Sequence, residues 1–132
     1  MTWPEADERV RAYASGLLAR GVRKGDAFGL LARNSLEWAL FDYAFGLIGA
    51  VGVPIYANSA PKDVGYLLRH SEAVGVLCED AEQRAKVDEV ADELPQLRHV
   101  LTYADLDALA AEGRAFAAER PTALDEASSS IS

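Results

Sequence analysis

Histidines, cysteines and clustered carboxylates are the side chains that most often do chemistry, and this sequence holds few of them in useful arrangements. His70 and His99 are its only histidines. Neither has a cysteine or carboxylate at metal-ligand spacing around it, so both read as surface or packing residues. Cys78 is the one cysteine. It ends an apolar run with no basic neighbour to stabilise a thiolate, which marks a structural thiol rather than a nucleophile. Alone it forms no internal disulfide, which fits a reducing compartment. Asp80, Glu82, Asp88, Glu89, Asp92 and Glu93 form an acidic series that reads as a wet helix face, not as a paired-carboxylate site. No Gly-x-Gly-x-x-Gly and no Gly-x4-Gly-Lys-Ser/Thr occurs, so neither the dinucleotide nor the Walker phosphate loop is present. Gly46, Gly49 and Gly52 recur at packing spacing, before a strand instead of after one. The expectation is therefore that no residue here is catalytic, cofactor-binding or metal-ligating.

The elements that would position any site are clear from periodicity. The chain is organised around Leu36 to Asn58. Trp38 to Ile48 is apolar on almost every face, interrupted by Asp42 and Gly46, which predicts a helix buried on both sides. Val51 to Tyr56 is a short β-branched run that reads as an interior strand. Gly46, Gly49 and Gly52 would let the two backbones approach closely. Before this stretch, Thr2 and Glu5 form a capping box with Pro4 in the first turn. Val10, Tyr13, Ala14, Leu17 and Leu18 give one apolar helical face, and Gly21 stops the helix. Lys24 to Asp26 is a turn, Ala27 to Ala32 a strand buried on both faces, and Asn34 with Glu37 caps the next helix.

After Tyr56, Asn58 and Ser59 open a helix with Pro61 in its first turn and Val64, Leu67 and Leu68 facing inward. Ala73 to Cys78 is a third strand. Asp80 and Gln83 cap a helix carrying Val87, Val90, Ala91 and Leu94, terminated at Pro95. His99 to Tyr103 is a fourth strand, and Thr102 with Asp105 caps a helix ending at Gly113. Arg114 to Arg120 is a weak helix broken at Pro121, and Ser128 to Ser130 reads as a solvated end. The alternation predicts a three-layer α/β domain with a mostly parallel sheet of about four strands. Residues 1–113 form that domain, and 114–132 a weak helix with a Ser-rich tail.

Composition narrows the function classes. A chain of 132 residues is one domain's worth. A net charge of −8 argues against non-specific nucleic-acid binding. Asp42 interrupts the best candidate membrane span, and the N-terminus lacks a signal-peptide pattern, so the expected location is cytoplasmic.

Five phrases, in order, point to a family. They are Thr2-Trp-Pro-Glu5, Gly21-Val-Arg-Lys-Gly-Asp26, Leu31-Ala-Arg-Asn-Ser-Leu-Glu-Trp38, Leu47-Ile-Gly-Ala-Val-Gly-Val-Pro-Ile-Tyr56 and Tyr66-Leu-Leu-Arg-His-Ser-Glu-Ala73. Together they resemble the N-terminal part of the adenylate-forming enzymes, the superfamily of acyl-CoA synthetases, adenylation domains and luciferases. The resemblance covers the chain to about Tyr103. Asp92 to Val100 further resembles the Leu-Pro-x-Leu-x-x-Val segment of the long-chain fatty-acid–CoA ligases.

The resemblance implies a parent enzyme that uses ATP, Mg2+ and coenzyme A to make an acyl-CoA through an acyl-adenylate. It places the Ser/Thr/Gly-rich phosphate loop ending in Pro-Lys-Gly, and every later motif, beyond Ser132. None of these cofactors is expected to bind this chain, and by itself it is expected to be inactive. Its expected partners are the remainder of the ligase and, through an uncovered face or sheet edge, a second copy in a homodimer. The alternative is a freestanding non-catalytic α/β module, flavodoxin-like or receiver-like, that binds a partner or small effector. A receiver's acidic cluster is not matched, since Arg33-Asn34 follows the first strand and Cys78-Glu79-Asp80 the third.

Overall fold

The computed structural model describes residues 2–129. Thr2 caps α1 (Trp3–Ala19) by accepting the Glu5 N–H, and the helix buries the expected Val10, Tyr13, Ala14, Leu17 and Leu18. Gly21 follows at φ +92°, the left-handed geometry that ends helices without a Cβ penalty. Next come β1 (Ala27–Leu31), α2 (Leu36–Ile48), β2 (Val51–Ile55), α3 (Pro61–His70), β3 (Gly75–Cys78) and α4 (Ala81–Val90). A 3₁₀ turn, Ala91–Glu93, extends α4. β4 (His99–Thr102), α5 (Leu106–Glu119) and α6 (Ala123–Ser129) complete the described chain.

The four strands form one parallel sheet in the order β2-β1-β3-β4. Side chains alternate across it. Phe28, Leu30, Leu77 and Leu101 join the core under α1, α2 and α5. Leu31, Ile55, Val76 and Cys78 face α3 and α4. β1 and β3, with a strand on each side and helices on both faces, are buried at every position. The result is the expected three-layer α/β architecture.

Several local expectations are corrected. α2 is not buried on both sides. Leu40, Phe41, Ala44, Phe45 and Ile48 enter the core, whereas Trp38 is half-buried and Tyr43 is 66% exposed. α2 lies at the end of its layer, so its apolar back has no neighbour among the described residues. Its cap is Ser35, whose Oγ accepts the Trp38 N–H at 3.2 Å, rather than Asn34.

β2 is an edge strand, not an interior one. The Val51 N–H bonds the Asp26 carbonyl toward β1, so Gly52 and Pro54 face outward. Pro54 has no N–H, and an outward edge position is where a strand tolerates that. Of the three expected close approaches, only Gly52 is one: a Cβ there would meet Asp42 and Phe45, while Gly46 faces open space and Gly49 is the left-handed cap of α2. α3 begins at Pro61 after Ala60, without a side-chain cap from Asn58 or Ser59.

The largest local difference lies at the C-terminal side. α5 does not end at Gly113 but runs to Glu119. Gly113 is buried against α1, where an added Cβ would overlap the Ala12 carbonyl. The glycine marks a helix–helix contact rather than a stop. α6 then crosses back over α1 and α2 with Leu124 buried, and Ser128 Oγ donates to the Leu47 carbonyl at 2.8 Å. Ser128 is thus bound instead of solvated, and Ser130 lies outside the described residues. Ion pairs Arg9–Asp107, Arg20–Glu112 and Arg114–Glu8 link α1 to α5, and Arg11–Asp125 links it to α6. Such surface pairs contribute only ~0–1 kcal/mol each, so packing dominates this layer.

Candidate functional site

In an open parallel sheet, ligands bind outside the carboxyl ends of the strands, where the winding direction reverses. Here the chain leaves β1 toward β2 on one side and returns to β3 on the other, so the reversal lies between β1 and β3. The loops that meet there are Ala32 to Ser35 after β1 and Glu79-Asp80 after β3.

That crevice is bridged by the protein itself. The Arg33 backbone N–H donates to Glu79 Oε1 at 2.8 Å, and Nη2 donates to Oε2 at 2.7 Å. Nε reaches both oxygens at 3.2 and 3.1 Å, and the Glu79 N–H returns to the Leu31 carbonyl at 3.0 Å. The Arg33 guanidinium and backbone N–H together hold the Glu79 carboxyl below the usual carboxylate range. Beside the pair, Ser35 Oγ lies 3.2 Å from the Tyr103 hydroxyl, and burial pushes that phenol up. Asp80 accepts the Gln83 N–H as the cap of α4.

An open cleft of about 420 Å³ adjoins the bridge, lined by Ala32, Arg33, Asn34, Tyr56, Ala57 and Asn58. Lys86 Nζ donates to the Ala57 carbonyl at 2.7 Å and holds the loop after β2 in place. Two side-chain amides, a phenol and a guanidinium already paired with Glu79 make this edge a hydrogen-bonding platform. It offers no activated nucleophile and no neutral general base.

The other candidate residues stay apart from it. Burial pushes the Cys78 thiol up to about 12, so it is protonated at neutral pH. His70 is exposed and stacks on Tyr66 with centroids 5.6 Å apart. His99 sits at the amino end of β4; burial and Arg98 push its pKa down, and its Nε2 has no partner among the described residues. No group of three or more His, Cys, Asp or Glu able to hold a metal occurs among the described residues. Sequence reasoning did not single out the Arg33–Glu79 bridge, because the two residues lie 46 positions apart. The available signal was positional: each lies within two residues of the end of a strand that the winding rule makes adjacent.

The strand order alone does not separate the two candidate families, because flavodoxin-like folds begin with the same 2-1-3-4 order. The model of the AMP-binding enzyme family, however, matches residues 1–130. This chain belongs to the AMP-binding enzyme family. A long-chain-fatty-acid–CoA ligase, FadD15 of Mycobacterium bovis, is 38% identical over 104 residues, covering 79% of this chain and 17% of that protein. Among solved structures, a Mycobacterium tuberculosis fatty acyl CoA synthetase superposes with a TM-score of 0.74 at 29% identity, covering 86% of this chain and 22% of that one. A long-chain-fatty-acid–CoA ligase from Archaeoglobus fulgidus gives 0.80 over 86% of this chain and 23% of that one; at 24% identity this likeness speaks to the fold alone. The chain thus spans about a sixth of the length of the FadD15 relative it matches. No helix among the described residues is long and apolar enough to cross a membrane.

Proposed function

We propose that this chain is the N-terminal subdomain of a long-chain fatty-acid–CoA ligase, with a structural rather than a chemical role. The parent reaction joins a fatty acid to the α-phosphate of ATP with loss of pyrophosphate; coenzyme A then displaces AMP to give the thioester. ATP, Mg2+ and coenzyme A belong to that parent, and no residue of this chain is assigned a catalytic, cofactor-binding or metal role. Residues 1–113 form the subdomain. Of residues 114–132, the described ones to residue 129 complete α5 and return over α1 and α2, and the segment leads toward the phosphate-loop region of the parent. The location is cytoplasmic.

The observation that carries the reading is the 38% identity to a long-chain ligase over 79% of the chain, within a family match running from residue 1 to residue 130. The internally bridged carboxyl edge supports a non-catalytic role, because stabilising charge at a reacting phosphate requires free cations and oriented donors. On its own the chain adenylates nothing. It self-associates weakly as a homodimer through apolar surface that the rest of the ligase would cover. Pro54 on the outward side of β2 disfavours pairing through that edge.

Pyrophosphate release by the complete ligase, assayed over acids of graded chain length, tests the assignment. Preference for long acyl chains is the expected result. Turnover of aryl or short-chain acids alone would overturn the long-chain reading, and no turnover of any acid would overturn the ligase reading.

A further inference from the structure

A cleft of about 190 Å³ between α1, α5 and α6 gathers positive charge on a protein of net charge −8. Three arginines line it: Arg11 from α1, Arg114 from α5, and Arg120 where α5 ends. Glu8 is the one carboxylate of the lining. The cleft shares no residue with the one at the carboxyl edge of the sheet.

The three guanidinium groups are not equally committed. Glu8 holds Arg114 in place, accepting from Nε at 2.7 Å and from Nη2 at 3.1 Å. The second terminal nitrogen, Nη1, has no hydrogen-bond partner among the described residues. Arg11 reaches Asp125 by a single contact of 3.4 Å, beyond the usual length of a hydrogen bond. Arg120 makes no ion pair among the described residues and lies over the Phe116 ring, 5.9 Å from its centroid. The chain's own carboxylates therefore occupy one fork well, one weakly and one not at all.

Ser15 adds a donor where the surroundings are otherwise apolar. It lines the cleft at only 3% exposure, and its hydroxyl makes no hydrogen bond among the described residues. Buried hydroxyls are normally paired, so one that opens onto a basic cleft fits an acceptor brought in from outside. Ala12 on α1 and Gly113 and Ala117 on α5 contribute little side chain, which leaves room between the arginine-bearing helices. Arginine forks match phosphate oxygens bidentately, and a phosphate dianion offers charge that a single rim carboxylate does not.

We propose that this cleft binds the phosphate group of a small molecule, held by Arg11, Arg114 and Arg120, with Ser15 Oγ donating to one of its oxygens. The site does not depend on the ligase reading. Inorganic phosphate, pyrophosphate and a phosphate monoester present the same chemistry to it, and the test separates them.

The 132-residue chain is titrated by calorimetry with inorganic phosphate, pyrophosphate and glycerol 3-phosphate, each against sodium chloride at matched ionic strength. Saturable binding of at least one is expected, and the tightest of the three identifies the source of the group. Arg120→Gln should weaken that binding roughly tenfold, the loss of one charge-assisted hydrogen bond. Ser15→Ala should weaken it several-fold without lowering the melting temperature, because it removes only an unpaired hydroxyl. Lys62→Gln removes the same charge from an exposed position on α3, across the sheet, and should leave binding unchanged. No saturable heat with any of the three would overturn the proposal. Binding that Arg120→Gln and Lys62→Gln weaken equally, or that Ser15→Ala leaves intact, would overturn it as well.

Discussion

Replacing Gly113 with alanine puts the α1–α5 contact under direct strain. The added Cβ would overlap the Ala12 carbonyl oxygen and come within 2.7 Å of the Gly16 nitrogen. Both obstacles are backbone, so no rotamer change relieves them, and α5 must move away from α1. Overpacking of a well-filled core costs ~1–3 kcal/mol, and a backbone obstacle belongs at the upper end. The gain in helix propensity from glycine to alanine offsets up to ~1 kcal/mol of this. The net expectation is a loss of about 2 kcal/mol, or roughly 6–10 °C in melting temperature for a domain of this size. Gly46→Ala is the matched control. Gly46 is exposed in α2 with no atom within 4 Å of an added Cβ, so the same substitution should stabilise by ~0.5–1 kcal/mol. Thermal melts followed by circular dichroism at one low concentration, where self-association does not shift the midpoint, give both values. A Gly113→Ala protein that melts at or above wild type would refute the packing described here.

Further outcomes follow from burial and charge. Phe41 is fully buried against the rings of Tyr13, Phe28 and Phe45, so Phe41→Ala should cost ~3–5 kcal/mol in a urea titration; the half-buried Trp38 should cost only ~1–2.5 kcal/mol as alanine. Cys78, inaccessible and with its thiol pushed up to about 12, should resist a disulfide-exchange reagent in the native state and react only on unfolding; rapid native labelling would contradict its burial. The Glu79 carboxyl is held below its usual value of 4.5 by Arg33, so its contribution is full above that value and lost as pH falls through the lower folded value. Glu79→Gln should therefore flatten the acid limb of stability, read as the change in urea midpoint between about pH 7 and about pH 3.5; an unchanged limb would mean the pair is inert.

The layer order was legible because buried parallel strands and amphipathic helices leave different periods in the sequence. Of the runs Ala27 to Ala32 and Ala73 to Cys78, Ala27–Leu31 and Gly75–Cys78 form the two central strands of the structure. What periodicity cannot convey is which elements lie at the end of a layer. α2 carries apolar residues all round, but it lies at the end of its layer and Tyr43 stays exposed. Pro54 did carry the edge position of β2, through its missing N–H. Gly113 misled because a helix stop and a close helix crossing both favour glycine, and only the partner backbone at Ala12 distinguishes them. The Arg33–Glu79 bridge depends on two strands becoming neighbours, so it becomes visible only once the winding order is known.

The claim that this chain is a structural piece of a ligase, and not a ligase, meets its most direct test in fatty-acid-dependent ATP–pyrophosphate exchange. Purified 132-residue chain should show no exchange above a protein-free control, while the complete ligase exchanges label when given a long-chain fatty acid. Exchange by the chain alone, retained through repurification at constant specific activity, would contradict the account.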